Sequence, residues 1–210
     1  MEIKMTGQTY TAEENLAYIR EIMQKTRKRT TSAGSFLAVW GSLSAIVTLF
    51  QYLAVVGTFP LVYMPYLWAA FVISGVSFSI LKGRQLAREK GEPCGDELIT
   101  TSLFSSIGIS LGVFFFATLL AGILGLVSHI GTEVCYVVSL VMAIAFYVSS
   151  YSTGITWFRL VAYGWWAAVI LFVLKPFAAE YLLLIIAVLD FLLLALPGFK
   201  LMSLAKHDQT

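Results

Sequence analysis

Residues 36–56, FLAVWGSLSAIVTLFQYLAVV, pass 21 positions without a formal charge. Wound as an α-helix at 1.5 Å per residue, that run is about 30 Å long, the hydrocarbon thickness of a bilayer. Residues 98–127 continue for 30 positions without a charge, longer than a membrane requires, so a helix there must tilt or project. A chain that is 59% hydrophobic and 12% charged cannot hide such runs in one water-soluble core. The expected fold is an all-α membrane protein.

Punctuation between the apolar runs gives six spans, at about 36–56, 66–81, 98–127, 134–151, 155–174 and 177–196. Pro60 and Pro65 mark the first turn, and KGRQLAREKGEPCGDE, residues 82–97, reads as the one sizeable polar loop. The first apolar run is longer than the core of a secretory signal and has no convincing small-residue cleavage site, so it is expected to stay in place as a signal anchor. The organisation is then a basic amphipathic segment at 1–34, a six-helix bundle at 35–197 and a short tail at 198–210.

Orientation follows from the cations. Lys4, Arg20, Lys25, Arg27, Lys28 and Arg29 precede the first span; Lys82, Arg84, Arg88 and Lys90 lie between the second and third. Arg159, Lys200 and Lys206 fall on the same side, and Lys175 alone falls on the other. The positive-inside rule therefore predicts both termini in the cytoplasm and a multi-pass protein of the inner membrane. Aromatic residues agree, with Tyr63, Tyr66, Trp68, Phe177 and Tyr181 at the outer interface and Trp40 and Trp157 at the inner one.

The long polar stretch, residues 11–34, has the marks of a helix. Thr11 and Glu14 form a capping box, Glu13 and Glu14 occupy the positive end of the helix dipole, and Lys25, Arg27, Lys28 and Arg29 the negative end. Leu16, Ile19, Ile22 and Met23 recur at three-to-four spacing as one apolar stripe. Such a helix can rest on anionic lipid headgroups, each cation contributing about 1 kcal/mol, or dock a cytoplasmic protein or a second copy of the chain. Nucleic acid is not an expected partner, because the basic face would lie against the membrane.

The residues Asn15-Leu16-Ala17-Tyr18-Ile19-Arg20-Glu21-Ile22-Met23, followed by a polar run and by residues 32–41 leading into the first span, resemble a group of uncharacterised bacterial integral membrane proteins that begin with a Tyr-Ile-Arg amphipathic segment. The resemblance covers roughly the first forty residues. It implies a regulated role in the cell envelope, since members of that group are often encoded near small winged-helix regulators, and no established activity. The KTRKR cluster, residues 25–29, departs from the group's pattern.

Few residues suggest chemistry. Asp190 is the one acid well inside a span, and helical rise puts Arg159 at a matching depth on the antiparallel neighbour, so the two are expected to form an intramembrane polar pair. The pair serves as a structural lock or as a proton or solute site; a third reading is that Asp190 simply snorkels towards the interface. Ser102, Ser106, Gly108 and Gly112, with Ser105 and Ser110, give the third span a small-residue face suited to close helix packing, to a dimer seam or to a hydroxyl-lined path. His129 and Glu133 are two metal-type ligands, too few for a site. Cys94 and Cys135 fall on opposite faces of the membrane, which rules out a bridge between them. A faint repeat relates Trp40-Gly-Ser-Leu43-Ser-Ala45 to Trp157-Phe-Arg-Leu160-Val-Ala162, as an internal duplication of the kind transporters carry would.

No zinc-protease, serine-hydrolase or phosphate-loop motif is found, and no cofactor or metal is called for. The expected function is a non-enzymatic accessory, sensory or scaffold protein acting through its cytoplasmic helix and through self-association. A small-solute or lipid transporter or channel, using Asp190, Arg159 and the Ser/Gly face of the third helix, is the alternative. A cavity at the depth of Asp190 would favour transport, and a filled bundle the accessory role.

Overall fold

The computed structural model describes residues 12–90, 96–124, 133–174 and 179–207. Its elements are α1 (Ala12–Val55), a short 3₁₀ turn (Leu61–Tyr63), α2 (Met64–Lys90), α3 (Asp96–Ile123), α4 (Glu133–Ser152), α5 (Phe158–Leu174), α6 (Ala179–Asp190), a π-helical segment (Phe191–Ala195) and α7 (Leu196–His207). Among the described residues there is no strand. Among the described residues, four stretches are long and apolar enough to cross a membrane: Gly34–Val55, Leu61–Arg88, Val134–Ser152 and Tyr181–Leu204. The protein is thus a helical membrane protein. Thr101–Phe114 and Phe158–Leu174 are shorter apolar helices within the described residues.

Helix boundaries differ from the expected ones in three places, each with a physical reason. The N-terminal helix and the first span are one helix of 44 residues, because nothing between Arg29 and Gly34 breaks a helix. Helix α2 runs on to Lys90, through residues expected to form a loop. Arg, Gln, Leu, Ala, Glu and Lys are good helix formers whatever their polarity, so leaving the apolar zone does not end the helix. At the other end of the chain, Pro197-Gly198 does not terminate the sixth span. The helical rod continues to His207 through the π segment.

That segment answers a specific problem. Pro197 has no N–H for the carbonyl four residues back, and its ring would strike that carbonyl in a regular helix. The Leu196 amide instead donates to the Phe191 carbonyl, five residues back, which widens the turn just before the proline. The rod of α6, π segment and α7 therefore stays continuous.

Two groups of helices make up the molecule. Helix α1 packs along α6, the π segment and α7, while α4 packs along α5. Joining them is a core of Phe146, Phe158, Trp165, Phe172, Leu182, Leu194 and neighbours. Phe146 and Phe158 meet edge to face at 5.3 Å between centroids, and Phe104 brings α3 onto Phe146 in the same way at 6.1 Å. Helix α2 sits outside. Only 11% of its span is buried, against 44% for Tyr181–Leu204, and it leans on α1 through the Trp40 side chain. The Trp40 indole lies over Gly75, stacks edge to face on Phe71 at 5.3 Å, and donates from Nε1 to Ser79 Oγ at 3.0 Å.

Helices α1 and α7 meet backbone to backbone. A methyl placed on Gly34 would come within 2.6 Å of Leu201 Cβ and 2.8 Å of the Gly198 carbonyl oxygen. One on Gly41 would lie 2.5 Å from the Ala195 amide nitrogen, and one on Gly198 would strike the Ala38 backbone, with its Cα at 2.7 Å. Gly34, Ala38 and Gly41, spaced four and three apart, form a flat strip on α1 against Ala195 and Gly198. Small residues permit such backbone contact, and in a membrane this packing takes the place of hydrophobic burial.

Candidate functional site

Asp190 closes α6 at the point where the π segment begins. Its side chain is 4% exposed and points at α1, where Ser44 Oγ donates to Oδ2 at 2.5 Å. Thr48, one turn further along the same face of α1, is also buried. The site is a short polar bridge between α1 and the end of α6, next to the glycine strip.

Arg159 is not its partner. The Arg159 guanidinium lies over the Tyr151 ring, 4.3 Å from its centroid, and its Nε is buried without a hydrogen-bond partner. No ion pair joins Asp190 to Arg159 among the described residues. Depth along the membrane was matched but direction was not. Arg159 stands in the first turn of α5, which packs along α4 and so turns it to the end of that helix, whereas Asp190 faces α1. The Ser44–Asp190 bond escaped the sequence because Ser42, Ser44 and Thr48 lie together in an apolar run and nothing in their pattern marks one of them as the donor.

The small-residue face of α3 is not a packing face in this structure. Gly108 and Gly112 have open space where a Cβ would stand, and Ser106 Oγ donates to its own helix, to the Ser102 carbonyl at 2.7 Å. Close packing is made by Gly34, Gly41 and Gly198 instead. The strip on α1 was legible as small residues at helical spacing, but the paired glycines of α3 gave the more familiar pattern. Asp190 and the α3 serines are therefore not brought together on one path. Three hydroxyls on or just after α4 bond to their own backbone, Ser139 Oγ donating to the Cys135 carbonyl at 2.7 Å, Ser150 Oγ to the Tyr147 carbonyl at 2.7 Å and Thr153 Oγ1 to the Ser149 carbonyl at 2.6 Å, whereas Ser149 Oγ is buried without a hydrogen-bond partner.

Two aromatic groups mark the ends of the bundle. At one end, Phe50, Phe59 and Tyr63 stack in series and Tyr52 approaches Tyr181 at 6.5 Å. At the other, Trp157 packs on Phe158 at 4.6 Å and carries Lys200 Nζ over its ring at 4.5 Å. Trp40 and Trp157, matched in the expected repeat, have unlike surroundings: one is clamped on α2 and the other precedes α5. His129 and Cys94 lie outside the described residues, as do the side chains of Glu133 and of Leu16, Ile19, Ile22, Met23, Lys25, Arg27, Lys28 and Arg29.

Comparisons with models of protein families, with curated proteins and with solved structures find no match to this chain.

Proposed function

We propose that the protein is a non-enzymatic accessory or scaffold component of a bacterial inner membrane, built from six spans with both termini in the cytoplasm, and that α1 is its working element. The single observation that supports this reading is the continuity of α1 over Ala12–Val55. Forty-four residues at 1.5 Å each make about 66 Å of helix, roughly twice what the hydrocarbon needs. A helix that crosses the bilayer without a break carries its remaining turns away from the membrane surface, which suits protein docking better than resting on headgroups. The Leu16, Ile19, Ile22 and Met23 stripe is then the docking face, for a cytoplasmic protein or a second copy of the chain. Gly34, Gly41 and Gly198 hold its base rigidly to the bundle.

Thirteen of fourteen Lys and Arg residues on one side support the orientation. The packed surroundings of Asp190 favour a filled bundle over a solute path, and the N-terminal resemblance to Tyr-Ile-Arg membrane proteins fits an envelope role. The test is a photo-crosslinking residue at Ile22 in the full-length protein in its native membrane. Adducts to one protein species, abolished by Thr31→Pro, which breaks the helix at the membrane surface, are the expected outcome. Adducts to lipid alone, with an unchanged phenotype when residues 12–29 are deleted, would refute it.

A further inference from the structure

Beside the polar bridge, and separate from it, a groove of about 250 Å³ runs between α5 and the last helical rod. The backbones of α5 and the rod approach each other at the π segment. Leu192, Leu193, Leu196 and Pro197 form one wall and Leu160 and Val161 the other, with Trp157 and Lys200 at one end.

The groove is polarised along its length. From Leu192 to Lys200 the helix rises about 12 Å, and everything before Lys200 is apolar. Lys200 is exposed, sits over the Trp157 ring, and has no acidic partner among the described residues. Its walls include strongly exposed aliphatics, Leu160 at 73% and Leu192 at 47%, so the groove opens sideways into the hydrocarbon. An open apolar groove that ends in a single cation beside Trp157 suits an amphiphile with an apolar tail and an anionic head.

We infer that this groove holds one anionic phospholipid of the surrounding bilayer, an acyl chain lying along Leu192, Leu193, Leu196 and Leu160 and the phosphate on Lys200. The lipid covers the seam where α5 leaves the rod, and it belongs to the same leaflet as the basic end of the bundle. Arg159, turned towards Tyr151 on the other side of α5, is outside the groove and takes no part.

The experiment is native mass spectrometry of the full-length protein released from detergent micelles containing phosphatidylglycerol, phosphatidylcholine or glycerol phosphate. One phosphatidylglycerol is expected to remain bound, with phosphatidylcholine several-fold weaker and glycerol phosphate not retained. Lys200→Ala should weaken retention of phosphatidylglycerol about fivefold, the factor that corresponds to about 1 kcal/mol for one cation at an anionic surface, and Lys200→Arg should restore it. Leu160→Trp, at a position exposed enough to accept the ring, should fill the groove and displace the lipid with Lys200 intact. Equal retention of the two lipids, equal protection by free glycerol phosphate, or an equal loss with Arg84→Ala, a cation elsewhere on the surface, would overturn the assignment. The Ile22 crosslinking result is independent of all these outcomes.

Discussion

The same substitution, glycine to alanine, should have opposite effects at two places in this bundle. At Gly198 the new methyl meets backbone atoms that cannot rotate away: Ala38 Cα and the Gly34 carbonyl oxygen at 2.7 Å, and the Ala38 amide nitrogen closer still. Ordinary carbon contacts need about 3.5–4.0 Å, so α1 and α7 must separate by close to 1 Å. A gap of that size forfeits a quarter to a half of each contact well along the seam, and overpacking of this kind costs about 1–3 kcal/mol. At about 2–4 °C per kcal/mol for a chain of this size, Gly198→Ala should lower the melting temperature in detergent by about 2–12 °C. Gly108→Ala and Gly112→Ala meet nothing within 4 Å, and each gains helix propensity of up to about 1 kcal/mol. They should be neutral or slightly stabilising. The measurement is the fraction of monodisperse protein left after heating, read by size-exclusion chromatography at a series of temperatures. Equal losses at Gly198 and Gly108 would show that the tight seam is misassigned, and a large loss at Gly108 alone would make α3 the packing face.

Ser44→Ala removes the donor to a buried carboxylate and should cost about 1–3 kcal/mol, with Ser44→Thr closer to wild type in the same heating assay. Asp190→Asn and Arg159→Gln should be additive to within about 0.5 kcal/mol in a double-mutant cycle; a coupling well above 1 kcal/mol would reinstate the ion pair. At the α1–α2 contact, Gly75→Ala drives a methyl to 2.6 Å from the Trp40 ring and should destabilise the wild type, yet do little once Trp40→Phe has shortened the ring. Strictly additive losses there would mean that Trp40 does not lie over Gly75.

Helical class and membrane character were legible because each depends on a property summed along the chain. An uncharged run of 21 residues leaves little freedom. Boundaries were less legible, since Gly198 and Pro197 are common terminators and the chain passes both by widening one turn. The Asp190 partner was not legible at all. Depth can be counted from a sequence, but the direction in which a side chain leaves its helix depends on which neighbour that helix packs against. Arg159 and Ser44 could be told apart only once α1 was seen beside the last rod.

That neighbour relation sets a delay in the life of the chain. Ser44 and Asp190 are 146 residues apart, and at roughly 5–20 residues per second of synthesis the first span waits about 7–30 s for the helix that covers it. Through that interval Gly34, Ala38 and Gly41 form a bare strip in the lipid, able to dock on any small-residue helix passing through the insertion machinery. The seam therefore closes only after the last helix has been made, and a chain truncated before Asp190 keeps an uncovered first helix.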